Sequence, residues 1–367
     1  MTDSRRAFRE LLALLGEIDE RYVGEAGETR SELDVADGHR LVLHGLRRAL
    51  GSQLEADPYR PVFHRAVSPT MKFGGDSPDA IYHECNISTD CSYVVRGNVA
   101  GAVYVSFSIQ AAGAGSDAVG ASINSDEFDV APDGSFEILI GQAGTRRPRN
   151  WLEMPAGAMN VMARHYFEER GLAIADPERH IALRISTLET FPAPPEPTVA
   201  TITAGIERVT RLLRSRTLEE SRGRTAMPSW VSRTPNRFNE PEKPGAGMAY
   251  AAIDIAYAMA PFYVPADKAL VMSGRFPACR YAGVVLWSRF RQSFDYVNRT
   301  VSLNRAQTVT DADGNYRIVV AQRDPGVPNW LDTGGRSSGM IYWRFLLPEE
   351  PVAAPRTELV DLDSLSD

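Results

Sequence analysis

Asp133-Gly134-Ser135-Phe136-Glu137-Ile138-Leu139-Ile140 decides the architecture, because the chain repeats it as Asp313-Gly314-Asn315-Tyr316-Arg317-Ile318-Val319-Val320. Each copy is an Asp-Gly turn followed by an alternating aromatic-aliphatic strand, with glycine supplying the positive φ of a hairpin-type turn. The offset is 180 residues, and the match extends outward at nearly the same spacing. Ile123-Asn124 answers Leu303-Asn304, and Arg164 answers Arg344, both at 180. Pro148-Arg149-Asn150-Trp151-Leu152 answers Pro328-Asn329-Trp330-Leu331, with Asn150 and Asn329 offset by 179. Upstream, Asp79-Ala80-Ile81-Tyr82 answers Asp254-Ile255-Ala256-Tyr257 at 175, a drift that loop insertions explain. A repeat of this length implies two copies of one β module.

The rest of the chain fits around that repeat. Short runs rich in Val, Ile, Phe and Tyr alternate with Gly, Asp and Pro from about Tyr59 to Leu188 and again over 250–348, as in an all-β sandwich or barrel. Within Ala158 to Phe167, the residues Met159, Val161, Ala163, His165 and Phe167 share one face, as do Ile341, Trp343, Phe345 and Leu347 in the second copy. Helical spacing predicts helices over 4–22 (Phe8, Leu11, Leu12, Leu15, Ile18), 31–50 (Leu43, Leu46, Leu50) and 198–220 (Ile202, Ile206, Val209, Leu213). Ser31-Glu32-Leu33-Asp34 resembles a capping box. In Asn-Trp-Leu the amide is expected to anchor a loop while a mostly buried indole covers the core edge. The expected fold is mainly β, two repeated jelly-roll-like β-sandwich modules with additional N-terminal and linker α-helices. It divides into N-terminal helices (1–55), a first module (56–190), a Pro-rich linker with a helix and an irregular connection (191–248), a second module (249–350) and a frayed acidic tail (351–367).

Composition narrows the function classes. Hydrophobic residues make up 43% and charged residues 24%, which excludes wholesale disorder. A net charge of −7 argues against a nucleic-acid partner. The N-terminus carries acidic residues and no small-residue cleavage site, and Met248 to Val264 is short and interrupted by Asp254, so a cytoplasmic protein without membrane association is expected. Cys85, Cys91 and Cys279 are too few and too irregular for a disulfide framework. Gly113 to Gly120 reads as a flexible loop, since its third glycine is misplaced for a dinucleotide fingerprint. Arg146, Arg147 and Arg149 read as a solvated cluster on one loop.

The repeated Asp-Gly, Asn-Trp-Leu and Asp-x-x-Tyr blocks, together with Lys72-Phe73-Gly74-Gly75-Asp76-Ser77-Pro78-Asp79-Ala80-Ile81-Tyr82, resemble the bacterial proteins carrying domain of unknown function 1214. The resemblance covers about residues 60–350 and is strongest over 270–348. It implies a jelly-roll-like β-sandwich and a bacterial origin, and it implies no activity.

Candidate chemistry concentrates in the first module. Lys72, Asp76, Asp79 and Tyr82 crowd into eleven residues, a pattern suited to anion binding or acid–base work on a loop. The alternative is a turn closed by Asx hydrogen bonds with Tyr82 plugging the sandwich. His165 stands on an apolar face where the second copy has Phe345, so it is either a satisfied core histidine or a cavity-lining group. Lys72, Asp76, Tyr82 and His165 are taken as catalytic candidates converging on one cavity, and Asp79, Arg164 and His83 as ligand-binding ones. The second copy carries Ala249, Ala251, Ala258 and Phe345 near the matching places, so the first module is expected to be the working one. Arg164 and Arg344 are expected to pair with a carboxylate or, less in favour, to hold an anion. His64 and His83 with Asp76 have no metal-site spacing, so metal and cofactor stay open. The leading functional expectation is an enzyme acting on a small organic or sugar-like substrate in a pocket of the first module. The alternative is a non-catalytic binding or scaffold protein for a glycan or apolar ligand, which an aromatic site would favour over converging titratable groups.

Overall fold

The computed structural model describes residues 3–24, 29, 31–112, 117–142, 149–176, 178–219, 227–245 and 252–365. Half of the glycine-rich stretch Gly113 to Gly120 (residues 113–116), Arg146, Arg147, Ala249 and Ala251 lie outside them, and the other half, expected as loop, opens a strand.

The first module contains β1 (His64–Arg65), β2 (Ala80–Asn86), β3 (Tyr93–Asn98), β4 (Tyr104–Ala112), β5 (Asp117–Asn124), β6 (Ser135–Gln142), β7 (Trp151–Met154), β8 (Ala158–Tyr166) and β9 (Leu183–Thr187). The second contains β10 (Ile255–Tyr263), β11 (Lys268–Arg275), β12 (Tyr281–Trp287), β13 (Ser302–Asn304), β14 (Asn315–Ala321), β15 (Trp330–Asp332), β16 (Ser338–Leu346) and β17 (Arg356–Asp361). The first forms sheets ordered β1-β2-β8-β4-β5 and β7-β6-β3-β9, and the second β10-β16-β12-β13 and β15-β14-β11-β17. Apart from the two-residue β1, the orders correspond strand for strand, so the sequence repeat is a structural one. Registers agree as well: Tyr82 faces Arg164 across β2 and β8, and Tyr257 faces Arg344 across β10 and β16. The Asp-Gly turns match too, with Gly134 and Gly314 at φ 82° and 81°. A side chain there would be strained, which is why both copies use glycine.

Strand alternation sorts each module into an interior and an outer face. Val105, Phe107, Val161 and Ala163 meet Val95, Ile138 and Ile140 inside the first sandwich. The outer faces of the β2-β8-β4 and β10-β16-β12 sheets meet each other, so Tyr82, Tyr104, Met162 and Tyr166 share one core with Tyr257, Tyr281 and Tyr342.

The acidic segment after Pro351 does not fray over its described residues, which run to Leu365. Its β17 pairs with β11, as β9 pairs with β3, and buries Leu362. Main-chain hydrogen bonds make this strand, so its charged side chains were a poor guide to it.

Among the described residues three α-helices stand apart with their own small core: α1 (Asp3–Ile18), α2 (Glu32–Ala49) and α3 (Val199–Arg214). Each runs into a single wider, π-type turn. Ser31 and Thr198 cap α2 and α3. The buried stripes are rotated from the expected ones: Leu14 is inside while Phe8 and Leu12 are exposed, and Val42 is inside while Leu43 is exposed. Glycine drives the rotation in α2 and α3, because a Cβ on Gly38 would lie 2.9 Å from Phe290 and one on Gly205 would lie 2.5 Å from Leu54. Close approach on the glycine side outweighs the apolar stripe. Among the described residues, no helix is long and apolar enough to cross a membrane.

Candidate functional site

The two modules are joined by a reciprocal clasp. The Asp79 carboxylate of the first accepts hydrogen bonds from Tyr281 (2.8 Å) and Asn304 (3.0 Å) of the second. The Asp254 carboxylate accepts in turn from Tyr104 (2.7 Å) and Asn124 (3.1 Å). The repeated Asp and Asn of the sequence therefore hold each other across the interface rather than within a module. Burial pushes the Asp79 carboxyl up to about 6, against the pull of the Tyr281 and Asn304 donors.

Beside this interface the outer sheet faces part around a cavity of about 270 Å³, roofed by the helical layer. From the first module, Tyr82, Arg164 and Tyr166 reach its wall, and from the second Tyr257, Met259, Trp287, Tyr342 and Arg344. Leu41, Val42, Gly45 and Arg48 of α2, with Leu212 and Leu213 of α3, close it from above. Trp230 enters from the irregular connection. Its ring lies 5.3 Å from Tyr257, which stacks on Tyr342 at 5.3 Å, which stacks on Trp287 at 4.3 Å. The wall is thus an unbroken run of aromatic faces.

Its charge is one-sided. Arg48, Arg164, Arg216, Arg291 and Arg344 line the cavity, and among the described residues no Asp or Glu does. Arg48 is paired behind the wall with Glu84 at 2.7 Å. Arg164 donates to Ser108 at 2.7 Å, and Arg344 donates to the carbonyls of Gly75 (2.7 Å) and Asp76 (3.2 Å). The expected Arg344–carboxylate pair is absent among the described residues. The Asp76 and Asp79 carboxylates feel its charge without accepting a hydrogen bond from it. Burial pushes the Tyr82, Tyr257 and Tyr342 hydroxyls up, so they remain protonated donors at neutral pH. Tyr82 and Tyr166 join hydroxyls at 3.2 Å.

The sequence candidates separate in space. Tyr82 and Arg164 line the cavity. Asp79 lies in the clasp. Lys72 and Asp76 are not on the wall; they belong to a strap that ties the first module to the second. Lys72 Nζ donates to the carbonyls of Ser293 (2.9 Å) and Phe294 (2.6 Å) and sits 4.2 Å over the Tyr296 ring. Burial brings its pKa down to about 8. Asp76 accepts from the Ser293 amide (2.9 Å) and hydroxyl, and burial pushes its carboxyl up. The strap's carbonyls in turn seat Arg344, so these residues position the wall from behind.

His165 and His83 point the other way. They stand opposite Ile81 and Ala163 in the ladder, on the interior face, one residue out of phase with Tyr82 and Arg164. Burial depresses both imidazoles, to about 3 and about 4. The expected convergence of Lys72, Asp76, Tyr82 and His165 on one cavity does not occur, because a one-residue step along a strand moves a side chain to the opposite face. Nor does the cavity belong to the first module alone. Among the described residues no group of three or more His, Cys, Asp or Glu is placed to hold a metal. Reading the sequence missed Trp230, Trp287, Tyr342 and the helical arginines. The available signal was a matched arginine inside two apolar strands, which marks a charge facing something other than core.

The family model described as "Protein of unknown function (DUF1214)" matches residues 88–169 and 291–350, one segment in each module. An uncharacterised protein from Burkholderia cenocepacia is similar in structure, with 25% identity, a TM-score of 0.77, and 99% of this chain and 95% of that one covered. The VPA0106 protein from Vibrio parahaemolyticus shares the fold at 10% identity and a TM-score of 0.51, over 88% of this chain and 97% of that one. No curated protein matches.

Proposed function

We propose that this protein binds a small organic anion in the cavity between its modules, without transforming it. The observation that carries the reading is the wall itself: five arginines and, among the described residues, no carboxylate, in a chain of net charge −7. A low-dielectric cleft lined by one sign of charge focuses its field inward and favours a counter-ion of matching size. Binding is favoured over acid–base catalysis because the wall's shifted tyrosines hold their protons and guanidinium does not titrate. Arg344 has only main-chain carbonyls as hydrogen-bond acceptors among the described residues, so a neutral sugar would leave its charge uncompensated, which disfavours the sugar-like substrate.

Native mass spectrometry of protein purified from its own host, followed by negative-ion analysis of the released species, tests this. The expected result is a small anion bound to the wild type and lost from folded Arg344→Leu and Arg164→Lys variants. A neutral or cationic ligand, or an anion retained by both variants, would overturn it. A ligand chemically changed on incubation with fresh protein would point to catalysis.

A further inference from the structure

The wall also says which kind of anion fits, provided the cavity is an anion site. Both hydrogen bonds of Arg344 leave from Nη2, to Gly75 and Asp76. Its Nε and Nη1 have no acceptor among the described residues, although the residue is only 3% exposed. Neither nitrogen is among the fully buried unpartnered atoms, so both are open to solvent, and a ligand that displaces their water must replace its hydrogen bonds to keep affinity. Tyr342 stands two residues away on the same face of β16, and its hydroxyl also lacks a protein acceptor among the described residues. Two sets of open donors therefore meet one cavity.

What surrounds them is flat and apolar. The Arg344 guanidinium lies 4.5 Å from the Tyr342 ring centre and 5.1 Å from that of Trp287. Beyond Tyr342 the aromatic faces continue through Tyr257 to Trp230. Inorganic phosphate would satisfy the donors and leave these faces wet. An apolar ligand would cover the faces and leave the donors unmade. A cavity of roughly 150 Å³ already holds benzene, so about 270 Å³ has room for one or two rings carrying a polar group.

We infer that the ligand is a planar aromatic carboxylate of one or two rings. Its acid group meets the Arg344 guanidinium and the Tyr342 hydroxyl. Its ring packs against the aromatic run that ends in Trp230. A guanidinium matches a carboxylate edge to edge, and ring-on-ring packing selects a flat substituent over a puckered one.

Isothermal titration of the full chain with benzoate, 1-naphthoate, cyclohexanecarboxylate, benzamide and inorganic phosphate tests it, with tryptophan fluorescence as a second readout because Trp230 and Trp287 are in the wall. Benzoate or 1-naphthoate should bind about tenfold more tightly than each of the other three and quench the fluorescence. Tyr342→Phe, which removes one hydroxyl and leaves the packing, should weaken benzoate several-fold. Trp230→Leu should weaken benzoate more than cyclohexanecarboxylate. Cyclohexanecarboxylate or phosphate binding as well as benzoate, with the binding lost in folded Arg344→Lys, overturns the aromatic class and leaves the anion site standing. Benzamide binding as well as benzoate overturns the role of the acid group. Unchanged benzoate affinity in folded Tyr342→Phe and Arg344→Lys overturns the location. Failure of every anion to bind overturns both this inference and the function it rests on.

Discussion

Replacing Tyr281 with Phe removes one of the two donors that hold Asp79 across the module interface, and the cost should depend on pH. Burial puts the Asp79 carboxyl at about 6 in the folded protein, against roughly 3.9 when unfolded. The folded state therefore binds this proton more tightly. The associated stability is complete at low pH and is lost as pH rises from about 4 through about 6, a penalty of roughly 3 kcal/mol once Asp79 is ionised. At pH 7.5 the Tyr281 hydroxyl donates to a carboxylate, a bond worth about 1.5–3 kcal/mol. At pH 5 it meets a largely neutral acid, a bond worth about 0.5–1.5 kcal/mol. Tyr281→Phe should thus destabilise the protein by about 2 kcal/mol at pH 7.5 and about 1 kcal/mol at pH 5. Urea denaturation at the two pH values, beside wild type, measures both numbers. Equal losses at the two pH values would show that Asp79 does not change charge between them. A loss below about 0.5 kcal/mol at pH 7.5 would show that the clasp contributes nothing measurable. Tyr104→Phe, which strips the matching donor from Asp254, is the natural companion and should also destabilise.

Two further outcomes follow from the geometry. Asn329→Ala removes three hydrogen bonds to Val309 and Arg317 at a residue with φ 59° and should cost about 3 kcal/mol. Trp330→Ala, at a partly buried ring, should cost less than the roughly 3–5 kcal/mol of a fully buried one; urea titrations giving the reverse order would refute this reading of the Asn-Trp-Leu loop. Lys72 has a folded pKa of about 8 against roughly 10.4 unfolded, so wild-type stability should rise with pH from about 8 to about 9, before the Cys85 and Cys279 thiols, held up at about 12 and about 11 by burial, oppose it. Lys72→Met should abolish the rise, and a rise that persists in Lys72→Met would assign it to another group.

The repeat is what made the fold legible in the sequence. Asp-Gly turns, alternating strands and a constant offset are local signals, and each survives unchanged in the registers of β2 with β8 and β10 with β16. The site was legible only in part. Tyr82, Arg164 and Arg344 stood out because charge and hydroxyl sat inside apolar strands. Lys72 and Asp76 stood out for the same reason, yet they serve a strap whose shared partner, Ser293, lies 221 and 217 residues away in sequence. Density of polar residues marks a place where burial is compensated, and cannot say whether a ligand or the protein's own backbone compensates it.

The sequence by itself determined the two modules, the order of their strands along the chain and the faces of those strands, because period-two alternation and turn chemistry act over a few residues. Tertiary structure decided that the modules pack through their outer faces, that Asp79 and Asp254 are each held by a Tyr and an Asn of the opposite module, and that the cavity draws on both copies and the helical layer. It also decided which helix stripes are inside, through glycines whose missing side chains permit close approach. Those outcomes depend on which surfaces meet after each module has formed. Such a meeting is a long-range event in sequence, and no local pattern encodes it.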